Sequence, residues 1–400
     1  MSKSPPRLEI DVSLEPGATS VADGETEVSV LIRLRVEAAP DAVPAPLHLA
    51  IMPIGPGAAS APAVARALEA LRPGDRISTG GRTVVIQEQD DRRLLNQALE
   101  DAFMRPQDTA AAALLQGRDA LLHERRTDTA HRLLLVAHSP LVEPMEPLLG
   151  AATSLTERQL GIDVVTTSPQ MDLGLSIRLA NLGGGEAVLA ESSAALEGLL
   201  RPRLARLLRQ HVLDARLELE FVPGVNPGRM YRVSPTPIFL GNIRLTPTDR
   251  RLVLDPGPVA TGAEAAFLLT LTVPKRRLGR YRLVELVAKH RGATRIVTGW
   301  HGGVVYTVTD DPLQAQWVDA QVVAARDRAE PAGWVEEAAR AFLEGDHRRV
   351  ATTLERISRR FLELGRPADS QSAIDSRTRY LRSGHLDRNE LNRLRRLVGS

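Results

Sequence analysis

Residues 47–60 read LHLAIMPIGPGAAS, an apolar run (Leu47, Leu49, Ala50, Ile51, Met52) that stops abruptly at Gly and Pro. A helical stretch follows over 62–71. A short apolar run bounded by turn residues and followed by a helix predicts a buried parallel strand that ends at the carboxyl edge of its sheet. In an open α/β sheet that edge is where ligands sit. From Leu47 to Ser60 there is no Asp or Glu, and the only hydroxyl is Ser60 at the far end. The strand end therefore lacks the hard oxygen donors on which a divalent cation depends.

Outward from this stretch, residues 46–212 alternate strands with helices. The predicted strands are 47–52, 83–87, 132–137 and 162–167, and the predicted helices 62–71, 91–104, 109–123, 141–160, 172–181 and 193–211. The last helix repeats Leu196, Leu199, Leu200, Leu204, Leu207 and Leu208 at helical spacing. Such alternation predicts a doubly wound parallel sheet.

On both sides the period falls to two. Residues 7–14 set Leu8, Ile10, Val12 and Leu14 against Arg7, Glu9, Asp11 and Ser13, and 26–37 do the same. A Pro/Ala linker, AAPDAVPAP, closes that segment. After 212 the alternation returns in RLELEF (216–221), AFLLTLTV (266–273), RYRLVELVAKH (280–290) and VVYTVTD (304–310). These strands make a β-sandwich short of a few members, which the two N-terminal strands would supply. The expected architecture is a multidomain α/β plus β-sandwich plus α chain. A sandwich domain comprises 1–45 and 213–311, with an α/β domain (46–212) inserted in it. A helical domain (312–400) follows, built from helices at 334–345, 347–364, 369–382 and 387–397.

Composition narrows the functional classes. The chain has 400 residues, net charge +2 and no cysteine, which excludes disulfides and thiolate chemistry. No apolar run approaches the length needed to span a bilayer, and MSKSPPRLEIDV has no apolar signal core, so a cytoplasmic location is expected.

The order of segments and several phrases resemble bacterial von Willebrand factor type A (vWA) proteins of the soluble kind. The phrases are LEIDVSLEPGATSVADGETEVSVLIRLRV, LRPGDRIS (71–78), MYRVSP (230–235) with LTLTVP (269–274), TDDP (309–312) and LERISRRFLELG (354–365). The resemblance covers nearly the whole length. It implies a metal-ion-dependent adhesion site, in which an Asp-x-Ser-x-Ser loop, a Thr from a second loop and a late Asp surround Mg²⁺. Carried over by position, the loop falls on Ile54, Pro56 and Ala58, or one residue earlier on Pro53, Gly55 and Gly57. The Thr matches Thr109, with Asp108 beside it, and the late Asp falls on His138. One oxygen ligand of five survives, and an imidazole prefers softer metals. The first helix is shortened, and the strand expected after GDRIS breaks into TGGR. The expectation is a degenerate site without metal or other cofactor.

The remaining candidates read as structural. His138 and Ser139 are neighbours on an extended strand and point to opposite faces, a poor nucleophile and base. His123 and His131 lack ligand spacing. GGG (183–185) follows a helix instead of opening one, and no Lys-Ser/Thr comes after it. Residues 348–400 carry thirteen arginines against six carboxylates, but their aromatics are only Phe361 and Tyr380. Without stacking platforms a solvated basic face is the plainer account than nucleic-acid binding. The sequence thus favours a non-enzymatic protein–protein adaptor or scaffold. Its contact residues would be Ile54, Pro56, Met104, Asp108, Thr109, His138, Leu141 and Met145. The resemblance implies partners such as a MoxR-type AAA+ ATPase or another vWA protein in a multi-protein bacterial system. The alternatives are a nucleic-acid-associated regulator using the Arg-rich helices, and a hydrolase on the α/β sheet.

Overall fold

The computed structural model describes residues 7–20, 24–38, 42–141, 143–168, 170–246, 248–257, 259–291 and 296–399. Residues 39–41 of the Pro/Ala linker and Pro258 of the DPGP turn lie outside them. In chain order the first strands are β1 (Arg7–Glu15), β2 (Ala18–Ser20) and β3 (Thr26–Glu37). The α/β segment comprises β4 (Leu47–Ile54), α1 (Ala61–Ala67), β5 (Arg76–Thr79), β6 (Arg82–Val85), α2 (Gln89–Met104) and α3 (Ala110–His123). It continues through β7 (Ala130–Ala137), α4 (Met145–Thr156), β8 (Gly161–Thr166), α5 (Leu173–Leu182), β9 (Ala187–Leu189) and α6 (Ser193–Leu208).

These strands form a six-stranded sheet in the order β6-β5-β4-β7-β8-β9. Every residue of β4, β7 and β8 is buried, as expected of strands covered by helices on both faces. One apolar cluster lies under α1, α2 and α6, and the other under α3, α4 and α5. The strand expected as a parallel member at 83–87 is instead β6, which pairs antiparallel with β5. Gly80 and Gly81, both at positive φ (56° and 79°), supply a two-residue turn that side-chain-bearing residues rarely enter. Asp75 is buried, and its carboxylate accepts the backbone N–H of Leu47 (2.8 Å) and of Arg72 (2.7 Å). The LRPGDRIS turn is thereby pinned to the start of β4.

The later strands are β10 (Leu213–Phe221), β11 (Asn226–Ser234), β12 (Ile238–Asn242), β13 (Arg251–Leu254), β14 (Glu264–Val273), β15 (Gly279–Arg291) and β16 (Ile296–Thr309). They join the N-terminal strands in two five-stranded sheets, β1-β3-β14-β11-β12 and β13-β10-β15-β16-β2. β3 pairs with β14 from Thr26–Val273 to Arg35–Glu264, so the two sides of the α/β segment meet in one sheet. Alternate residues of both sheets (Val28, Val30, Ile32, Leu217, Leu219, Phe267, Leu269, Leu286) fill one shared core.

The C-terminal region is helical: α7 (Pro312–Ala315), α8 (Ala320–Leu343), α9 (His347–Glu363), α10 (Pro367–Ser383) and α11 (Arg388–Gly399). The helix expected from 334 begins at Ala320 and runs through Pro331. A proline inside a helix costs about 3 kcal/mol. Here Val322, Ala325 and Ala329 pack on Leu31, Tyr231 and Leu268 of the first sheet, and that burial outweighs the break. No helix among the described residues is long and apolar enough to cross a membrane.

Candidate functional site

The chain leaves β4 toward β5 on one side and later returns to β7 on the other. The crevice of this sheet therefore falls at the carboxyl ends of β4 and β7. β4 ends at Ile54, whose carbonyl accepts the His138 N–H (2.8 Å). Ile54 is 2% exposed and packs in the core, which corrects its assignment as a contact residue. Its side chain lies beneath the rim because the strand runs two residues further than expected, to the pair Ile54–Ala137. The loop before α3 crosses this strand end, and Gln107 N–H donates to the Pro53 carbonyl (3.0 Å).

Thr109 stands at the first residue before α3, where a hydroxyl satisfies a free helix N–H. Its Oγ1 accepts from Ala112 N (3.2 Å). The next two amides are taken by Glu143, whose Oε1 accepts from Ala110 N (2.6 Å) and Oε2 from Ala111 N (2.9 Å). A carboxylate from this chain thus sits on the positive end of the α3 dipole. Glu143 was not singled out from the sequence. It lies more than thirty positions from Ala110 with no periodic relation to it, and only the fold joins the two.

His138 is half-buried, with Nδ1 hydrogen-bonded to Thr167 Oγ1 (2.7 Å) and Nε2 buried without a partner. The ring meets Phe103 edge-to-face at 5.7 Å and lies against Gly57. A Cβ on Gly57 would fall 2.0 Å from His138 Cδ2, so only glycine leaves room for the imidazole. Burial lowers the His138 pKa, and the ring is neutral at neutral pH. No carboxylate bonds this ring among the described residues, and Ser139 makes no hydrogen bond to it, so no base-and-nucleophile relay is assembled.

Around this floor Pro56, Ala58, Asp108 and Thr109 are exposed, Met104 is 69% exposed and Met145 43%. Leu141 is half-buried against the core. Neither carried-over register of the first loop offers an oxygen side chain. Among the described residues no group of three His, Asp or Glu converges as metal ligands.

The basic tail is less basic in space than in sequence. Arg349, Arg359, Arg360, Arg366, Arg377, Arg379, Arg395 and Arg396 all pair with carboxylates, several of them on α8 or the α/β segment. Arg395 is only 8% exposed and joins Glu336 (2.7 Å) and Asp172 (3.3 Å). Beside it Asn392 accepts from Leu173 N and donates to the Met171 carbonyl, fastening α11 to α5.

Comparison with solved structures finds a von Willebrand factor type A protein from Catenulispora acidiphila at TM-score 0.79 over 99% of this chain and 97% of that one, at 14% identity. This chain has the vWA fold. The ArnB paralog VWA2 from Sulfolobus acidocaldarius is similar over 98% of both chains, with TM-score 0.52 and 9% identity. No protein-family model matches the sequence, and no curated protein matches it. Likeness at such identity speaks to the fold and leaves function to be argued from the site.

Proposed function

We propose that this vWA protein is a non-enzymatic adaptor that recognises a protein partner through the upper rim without a bound divalent cation. The observation that carries the reading is the state of the adhesion-site positions. Where the vWA resemblance places oxygen ligands, the chain has Ile54, Pro56 and Ala58, or Pro53, Gly55 and Gly57. The Thr109 oxygen serves its own helix, the His138 ring is lodged between Thr167 and Gly57, and Glu143 neutralises the helix end. This donor set does not fit Mg²⁺, which demands near-octahedral oxygen coordination.

Recognition then rests on exposed apolar and polar rim residues: Met104, Met145, Pro56, Asp108 and Thr109. Methionines suit adaptable interfaces because their unbranched chains repack against different surfaces. The α/β unit, read as an insertion in a β-sandwich, is held on a stiff base, and the pairing of β3 with β14 supports that reading. The proposal commits to a protein partner and not to a MoxR-type ATPase, because no side chain at the rim selects for one.

The test is a partner isolated by proximity cross-linking through a photoreactive residue at 104 or 145, its affinity then measured in magnesium and in EDTA. Equal affinity in both buffers, lost in a Met104→Glu, Met145→Glu variant, is the expected result. Binding abolished by EDTA overturns the reading.

A further inference from the structure

A cleft of about 610 Å³ lies away from the rim, where α5, β12, α8 and α11 meet. Four consecutive residues of β12 line it: Ile238, Phe239, Leu240 and Gly241. Successive side chains of a strand point to opposite faces. Here Phe239 packs toward the helical region, against Tyr231, while Leu240 packs into the core between the two sheets. A cleft touched by both must run along the edge of the strand.

β12 is the last strand of its sheet and pairs only with β11. Among the described residues no other backbone or side-chain group bonds to 238–242. An open edge of this kind is a template for another strand.

The charges around the cleft are unbalanced. Asp172 and Glu336 line it, but both are engaged by Arg395. Arg178, Arg340 and Arg388 also line it, are exposed, and have no carboxylate partner among the described residues. Arg388 bonds only the Gln170 carbonyl. Beside them Leu343 stands 84% exposed at the end of α8. Three cations from three elements call for several carboxylates spread along an occupant, which a small acid lacks and a peptide carries.

We infer that this cleft binds an extended acidic segment of a partner protein, added as a strand along the free edge of β12, with apolar side chains on the floor and carboxylates on Arg178, Arg340 and Arg388. The site is separate from the rim and stands whether or not the rim works without metal.

The experiment uses the full chain and a fluorescein-labelled peptide in which glutamate alternates with valine or leucine, read by fluorescence anisotropy. Binding in the micromolar range is expected, weakened about tenfold or more by the surface variant Arg178→Glu, Arg340→Glu. The same peptide N-methylated at alternate amides should lose binding, since the methyl groups remove the strand hydrogen bonds while keeping charge and side chains. No binding at about 100 μM, equal binding of a lysine-for-glutamate peptide, or equal binding of the N-methylated peptide each overturns the proposal. Displacement of the peptide by laurate at equal potency would assign the cleft to a small amphipathic acid and overturn it too.

Discussion

Removing the Glu143 carboxylate should loosen the first turn of α3 and nothing else nearby. Both its oxygens accept backbone N–H groups at the helix start, at 2.6 and 2.9 Å, and among the described residues no other group accepts from those two amides. A side-chain acceptor at a helix N-terminus is worth about 0.5–2 kcal/mol, and a negative charge there about 0.3–1 kcal/mol. Glu143 is half-buried, so water recovers part of the loss. Glu143→Ala should then cost about 1–2 kcal/mol locally and Glu143→Gln about half of that. A protein with several cores does not melt as one unit, so a global unfolding curve is the wrong readout. Amide hydrogen exchange is the right one: a peptide spanning Ala110–Ala112 should exchange about 5–30 times faster in Glu143→Ala, with peptides from β7 and β8 unchanged. Unaltered exchange at 110–112 would refute the capping role. Restoration of full protection by millimolar Mg²⁺ would refute the wider reasoning, because a cation would then be doing the work assigned to the carboxylate.

Other expectations follow from the same geometry. Gly57→Ala places a methyl 2.0 Å from His138 Cδ2, forces the ring out at a cost of about 1–3 kcal/mol, and should bring the His138 titration back toward its ordinary range by NMR; an unmoved titration contradicts the contact. His48 is fully buried beside His131, with Nε2 on Ser78 Oγ, and burial, then His131 and Arg76, lower its pKa to about 4. A depressed histidine means the unfolded chain takes up the proton first, so stability is full above pH 6.5 and falls as pH drops. From His48 alone about 2 kcal/mol is gone by pH 5. Hydrogen exchange of peptides from β4 and β7, corrected for intrinsic exchange rates between pH 8 and 5, should show this slope, and His48→Gln should flatten it; an identical slope in the variant counts against the assignment. Arg395→Met breaks a bridge whose partners remain about one-third exposed to water, so the loss should be about 2 kcal/mol, seen as faster exchange across 388–399. No change there would show that Asn392 and apolar packing alone hold α11.

Where one strong local pattern decides an element, the sequence was enough. The alternation of 7–14 and 26–37 became β1 and β3, and the apolar runs at 47, 132 and 162 became the three buried strands of the α/β sheet. Where tertiary contacts compete with a local signal, the reading failed. A helix was expected only from 334, yet the sheet beneath Val322 and Ala329 carries α8 from Ala320 through Pro331. The pair Gly80-Gly81 looked like a broken strand and is a hairpin turn. Short strands such as β2, β9 and β13 offer too few residues for a period to be counted.

The candidate site divides in the same way. That Thr109 and His138 come to one rim was implied by the vWA resemblance, and the loop before Thr109 and the start of the loop at His138 both bond to the end of β4. Burial of Ile54 could not be read, since the strand pairing continues two residues past the apolar run, to Ile54–Ala137, and keeps that side chain in the core. Glu143 needed the fold itself, because its partners are amides that carry no sequence signature. The arginine excess after 348 was visible, but the carboxylates that neutralise it lie partly on α8, α5 and β9's flanking loop.

The most direct measurement is electron paramagnetic resonance of Mn²⁺ titrated into the intact protein, since Mn²⁺ takes the place of Mg²⁺ in oxygen sites and its free signal can be counted. The account predicts that every added ion stays free at about 100 μM protein. A bound fraction that Mg²⁺ displaces and Thr109→Ala abolishes would contradict it.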